Sequence, residues 1–291
     1  MNLRNEYGFE EFMQQCYCSA DRDNIDFIGI DLNEGQISFK AYIGMKTTDI
    51  SKEITESVSP SCFLSHLIEK DIVYRLETVD DTRKTWNGRY DIALYNRNNK
   101  NMCWILNEIK SKADFISPYE EIINHISSMK VAENPDYQYS ALYHLGILEK
   151  GERIQALKLY FTARYENIPD YHSKNFTYHD KEYLDFLGNC GLDSFSILKG
   201  MACDMLECCG GHLWMAGIDI SGNGIGKCKI YLKKMSNIYE YLKTAFNGIY
   251  RDQTEQIAIW NSKNPDFAIM GVAIGIDESG IPSLNLYFVL D

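Results

Sequence analysis

Between Lys227 and Lys233 the chain alternates cations and a tyrosine with small or apolar residues. Lys227, Lys229, Tyr231 and Lys233 fall in one phase, Cys228, Ile230 and Leu232 in the other. In an extended strand successive side chains point to opposite faces. The apolar set is a complete buried face, so the cationic and aromatic face looks at water or into a polar cavity. One such strand, taken singly, reads most simply as a solvated outer face. The pattern recurs, however, in Lys40-Ala41-Tyr42, Lys158-Leu159-Tyr160 and Asn285-Leu286-Tyr287, with Ala93-Leu94-Tyr95 as a weaker fifth member. Lysines clustered in a sheltered cavity carry a desolvation cost unless an anion neutralises them. Several lysines on adjacent strands suit a diphosphate. Tyrosine ring faces attract a cation by about 0.5–2 kcal/mol each. A pocket with both describes the ionisation of an allylic diphosphate, its cation cushioned by rings.

The elements that would position these residues are five hairpins separated by helical stretches. Alternating runs bounded by turn signals place the hairpins at about 26–43, 72–95, 143–164, 213–233 and 268–290. Helical spacing is read at 7–20, 51–70, 102–132 with an interruption near Pro118, 180–209 and 238–261. In the second strand of each hairpin a tyrosine occupies the same place: Tyr42, Tyr95, Tyr160, Tyr231 and Tyr287. Two residues earlier stand Lys40, Ala93, Lys158, Lys229 and Asn285. A repeat of this kind decides a fold. Ten antiparallel strands with helices to cover their apolar faces predict an α+β architecture: one domain over 1–291, a closed ten-stranded antiparallel β-barrel with helices outside and polar faces inside. Ten strands leave a ligand-sized lumen, where eight would be nearly filled. The reading as two unrelated α+β domains with exposed sheets predicts no lumen.

Composition excludes other classes. With 45% hydrophobic and 24% charged residues the chain reads as an ordinary globular protein. A net charge of −12 argues against a nucleic-acid surface. No stretch reaches the roughly 18 apolar residues of a membrane span, and the start lacks a signal-peptide core, so a cytoplasmic protein is expected, acting as a monomer. The nine cysteines lack zinc-site spacing and read as reduced, mostly buried thiols.

The hairpin order, with Lys158-Leu-Tyr160, Lys227-Cys-Lys-Ile-Tyr231 and Asn285-Leu-Tyr287, resembles the ABBA-barrel (PT barrel) aromatic prenyltransferases over residues 25–291. That group includes the dimethylallyltryptophan synthases, the soluble bacterial phenol prenyltransferases and the cyanobactin peptide prenyltransferases. The resemblance implies transfer of a prenyl group, dimethylallyl by expectation, from its diphosphate to an aromatic acceptor, either a small molecule or a peptide. It assigns diphosphate contacts to Lys40, Lys158, Lys227 and Lys229 and a tyrosine shield to Tyr42, Tyr160, Tyr231 and Tyr287; the hairpin repeat adds Asn285 to the first set and Tyr95 to the second. Such chemistry belongs to natural-product biosynthesis.

Two departures stand out. The second hairpin has Ala93 where the resemblance leads one to expect a lysine, which leaves Arg89 or Arg75 to substitute. Magnesium-dependent members carry an aspartate where this chain has Lys40, so no metal and no cofactor is expected. A base for the acceptor proton is sought on the first strand, where Asp31 falls in the inward phase. Against that role, Gly-Ile-Asp recurs at 217–219 and 275–277 just before turns, where an aspartate often bonds turn amides. His144 reads equally as a core histidine or an acceptor contact. The chain stops soon after the last strand, which suggests an open barrel mouth and a tryptophan or tyrosine within a peptide as acceptor. A non-catalytic barrel binding an anionic lipid or nucleotide would need the lysines but not the tyrosines.

Overall fold

A computed structural model describes residues 25–33, 36–45, 63–81, 89–94, 99–130, 140–150, 153–163, 176–277, 280 and 282–290. The helix expected at 7–20, most of the one at 51–70, and Tyr95 lie outside these residues. Ten strands run in chain order: β1 Ile25–Asn33, β2 Gln36–Met45, β3 Val73–Asp81, β4 Arg89–Leu94, β5 Ala141–Lys150, β6 Arg153–Thr162, β7 His212–Ser221, β8 Gly224–Lys233, β9 Phe267–Asp277 and β10 Pro282–Leu290. Every neighbouring pair is antiparallel, and β1 pairs with both β2 and β10, so the sheet closes on itself as a barrel. Closure removes both sheet edges.

The period-two alternation sorts the strands as expected. Ile28, Ile30 and Leu32 of β1, Leu157, Leu159 and Phe161 of β6, and Cys228, Ile230 and Leu232 of β8 are buried on the outside of the barrel. Helices cover them: α1 Phe63–Glu69, α2 Met102–Lys112, α3 Glu120–Ile126, α4 Phe176–Gly188, α5 Asp193–Cys209, α6 Ile238–Thr244 and α7 Arg251–Lys263. α5 lies against β8 and β9 and brings Phe195, Leu198, Ala202 and Met205 to the sheet side. Each helical side chain fully removed from water here is worth about 1.5–3 kcal/mol, and this shell holds the strands in place.

The interruption expected near Pro118 is present, and two further expected helices are broken. A 3₁₀ turn at Asp114–Tyr119, containing Pro118, separates α2 from α3. The stretch 180–209 is interrupted at Gly191, whose φ of 91° is open to glycine and strained for other residues. Asn247 and Gly248, at φ 57° and 73°, divide α6 from α7. Of the six described cysteines, all free, three are buried, and Cys103 and Cys208 are exposed; burial is less general than the composition suggested. Among the described residues no helix is long and apolar enough to cross a membrane.

Candidate active site in the barrel lumen

The lumen is built by the polar phase of the second strands and shaped by a repeated irregularity in the first. In β1, β3, β5, β7 and β9 the register skips one residue: Asp26, Tyr74, Tyr143, Trp214 and Met270 respectively. The next residues, Phe27, Arg75, His144, Met215 and Gly271, stand opposite Tyr42, Ala93, Tyr160, Tyr231 and Tyr287. Such a β-bulge puts two residues against one and bends its strand. The consecutive pairs Asp26 and Phe27, Tyr143 and His144, and Trp214 and Met215 therefore all line the cavity. Strict alternation assigns neighbours to opposite faces, which is why the bulged Asp26, Tyr143, Trp214 and Met270 are not legible as site residues.

The five bulges also give the repeat its true frame. Taking the residue opposite each post-bulge position, the tyrosine place is held by Tyr42, Tyr160, Tyr231, Tyr287 and, in β4, Ala93. Two residues earlier the lysine place is held by Lys40, Lys158, Lys229, Asn285 and, in β4, Asp91. The second hairpin was thus aligned two residues out of step. Ala93 holds the place that the sequence repeat gives to Tyr95, which is outside the described residues, and the backbone of Arg89 is at the level of Lys227 and not of the Lys40 set. Arg75 lines the cavity but is ion-paired to Asp26 near the bulges, among the aromatic residues. In β4 the tyrosine place therefore holds no ring and the lysine place no cation.

The four tyrosines form a continuous run. Ring centroids are 6.2 Å apart for Tyr42 and Tyr287, 5.9 Å for Tyr287 and Tyr231, and 5.7 Å for Tyr231 and Tyr160. Phe27 extends it by stacking on Tyr42 at 4.1 Å. Glycines in the first strands seat these rings. A Cβ on Gly217 would lie 3.1 Å from the Tyr231 Cε2, and one on Gly29 would touch both Tyr42 and Tyr287 at 3.4 and 3.5 Å. Burial and the neighbouring rings push the Tyr231 hydroxyl well above its ordinary pKa, so it stays a neutral phenol.

One step along the strands lie the lysines. Lys40 Nζ donates to Asp31 Oδ2 at 2.5 Å, Lys158 Nζ to Asp219 Oδ2 at 2.8 Å, Lys229 Nζ to Asn285 Oδ1 at 3.1 Å and Lys227 Nζ to Ser283 Oγ at 3.0 Å. Lys40, Lys158 and Lys229 are 3%, 7% and 6% exposed. Lys229 is driven well below the usual lysine pKa by burial and then by the charges of Lys158 and Lys40. Lys227 is lowered by burial too, although Asp219 and Asp277 oppose it. Asp31 and Asp219 do not serve as turn aspartates; both point into the lumen as counter-ions. Asp219 was missed because its Gly-Ile-Asp motif was weighed as a turn signal. The informative feature was phase: the glycine seats a ring, and the aspartate two residues on shares its inward face. Lys233, at the end of the same face of β8, is half-buried with its ammonium 4.7 Å from the Trp214 ring centroid.

Alongside the tyrosines is a cavity of about 250 Å³, whose wall includes Tyr160, Tyr231, His144, Ala93 and Asp91. The arrangement is amphipolar: a cationic tier able to hold an anion, and an aromatic tier able to face a cation.

No protein-family model and no curated protein matches the sequence. Solved structures do match in fold. AnaPT from Neosartorya fischeri aligns with a TM-score of 0.53 at 12% identity, over 91% of this chain and 78% of that one. The 6-dimethylallyltryptophan synthase from Micromonospora olivasterospora, solved with DMASPP and Trp, aligns at 0.51 and 13% identity, over 93% and 83%. The 5-dimethylallyl tryptophan synthase from Streptomyces coelicolor, also with DMASPP and Trp, aligns at 0.51 and 9%, over 94% and 80%. The chain has the barrel fold of the ABBA-type aromatic prenyltransferases.

Proposed function

We propose that this protein is an aromatic prenyltransferase, moving a dimethylallyl group from its diphosphate to an aromatic small molecule or to a tryptophan or tyrosine side chain of a peptide. The observation that carries this reading is the tiering of one enclosed lumen. Lys40, Lys158 and Lys229 sit one strand-step from Tyr42, Tyr160 and Tyr231, Lys227 one step further on and Asn285 one step from Tyr287, and the four tyrosine rings form one run. Lys40, Lys158, Lys227 and Lys229, with Asn285, would take the diphosphate, and Arg89 at the level of Lys227 would add to them. Anion binding relieves the like-charge repulsion that depresses Lys229. As the C–O bond of the donor breaks, its electron pair leaves on the diphosphate, and Tyr42, Tyr160, Tyr231 and Tyr287 face the allylic cation. Asp31 enters as the group that holds Lys40 in the tier. The lysines supply the positive charge, so the ionisation runs without magnesium, and a chelator leaves turnover intact. Each barrel has its own complete lumen, in keeping with a monomer, which sedimentation would verify.

Incubation with dimethylallyl diphosphate and a panel of indoles, phenols and Trp- or Tyr-containing peptides tests the reading. Mass gain of one prenyl unit on an acceptor supports it. Stabilisation by diphosphate-bearing ligands with no turnover of the donor would instead mark a non-catalytic anion-binding barrel.

A further inference from the structure

Resting on the prenyl-transfer reading, we infer that the acceptor ring docks over Ala93, in the place where the other four hairpins carry a tyrosine, and that Asp91 takes up the proton the acceptor loses. Four of five walls present a ring at this level, and β4 alone presents a methyl group. Ala93 stands between Arg75 and His144 in register, and it lines the cavity together with Asp91. An aromatic ring seated there would occupy the missing fifth position, beside His144 and facing the run of tyrosines. Asp91 replaces a lysine in the repeat and is 3% exposed. Its register partner across β5 is Gly146, which has no side chain to fill the space beside it. The ion pairs Asp31–Lys40 and Asp219–Lys158 lie off this cavity, whose lining carboxylates among the described residues are Asp91 and, paired with Arg75, Asp26.

A carboxylate beside a ring-sized gap selects an electron-rich aromatic that carries an N–H or O–H, an indole or a phenol. In the transfer a pair of ring electrons forms the new bond to the prenyl carbon, and the donor C–O pair departs with the diphosphate. One acceptor proton passes to Asp91, restoring a neutral aromatic product. A general base in such a position contributes about 10²–10⁴ in rate.

The readout is how the donor partitions between prenylated acceptor and prenyl alcohol from water capture, with tryptophan and tyrosine, free and in short peptides, as probes. Asp91→Asn should shift that ratio toward the alcohol by about a hundredfold, and Asp91→Glu should recover part of it. Ala93→Tyr, which fills the fifth position, should likewise lose prenylated acceptor in favour of alcohol. A purely structural defect lowers both products together and leaves the ratio unchanged. An unchanged ratio in Asp91→Asn, or prenylation by Ala93→Tyr at the wild-type ratio, would overturn the inference. Donor left intact by the wild-type protein would instead sink the prenyl-transfer reading itself.

Discussion

Lys40 Nζ lies 2.5 Å from Asp31 Oδ2 on neighbouring strands, with both side chains 4% exposed. Removing one partner of such a pair strands a buried charge, at a cost of about 3–5 kcal/mol. Asp31→Asn should therefore lower the melting temperature of the ligand-free protein markedly. Inorganic diphosphate should restore much of the loss, because the anion then neutralises Lys40. A thermal-shift titration of wild type and variant checks both parts; equal destabilisation with and without diphosphate would mean that Lys40 does not meet the anion.

Lys229 presents the opposite case. Its charge is disfavoured by burial and by Lys158 and Lys40, so Lys229→Met should raise the stability of the ligand-free barrel while abolishing stabilisation by diphosphate. A destabilised variant that still responds to diphosphate contradicts this.

The same depression sets a pH dependence. With the folded pKa of Lys229 below its ordinary value, the unfolded chain holds more protons in the window between the two. Ligand-free stability from this group therefore grows as pH rises through that window and is lost as pH falls through the depressed pKa. Diphosphate raises the lysine's pKa again, so binding in alkaline buffer should take up a proton. Lys227, lowered by burial as well, should add to that uptake, which calorimetry in buffers of different ionisation enthalpy measures.

Tyr231 contacts Tyr160 on one side and Tyr287 on the other. Tyr231→Phe keeps the ring and should change kcat little, whereas Tyr231→Ala removes up to about 2 kcal/mol of cation stabilisation, roughly a thirtyfold fall. Similar losses in both variants would point to the hydroxyl instead of the ring.

Gly217 tests the seating of that ring. The first carbon of any side chain there would already sit 3.1 Å from the Tyr231 ring, and the larger Gly217→Val must displace it. Donor turnover should fall at least as far as in Tyr231→Ala, with far-ultraviolet circular dichroism unchanged. Wild-type turnover would show that the ring has room to move.

The alternation of Lys227–Lys233 and its counterparts was enough to assign inside and outside, because side-chain direction in a strand is a local property of period two. It also gave five hairpins, the barrel with helices outside, and the tiers of lysine and tyrosine. Helix interruptions were harder to read, since positive-φ breaks at Gly191 and Asn247–Gly248 leave the apolar periodicity nearly intact.

What the tertiary structure alone decided is the frame between hairpins. A bulge adds one residue without altering composition, and its position follows from the bend that barrel closure requires in each first strand. Only with all five bulges superposed does Ala93 fall in the tyrosine place and Asp91 in the lysine place. The pairing of Asp219 with Lys158 was likewise beyond the sequence, because residues 61 positions apart meet only where β6 pairs with β7. By itself the sequence determined the lysine and tyrosine faces of the second strands; which bulged residues join them in the lumen, which side chains touch, and which wall lacks a ring was set by the register of the closed barrel.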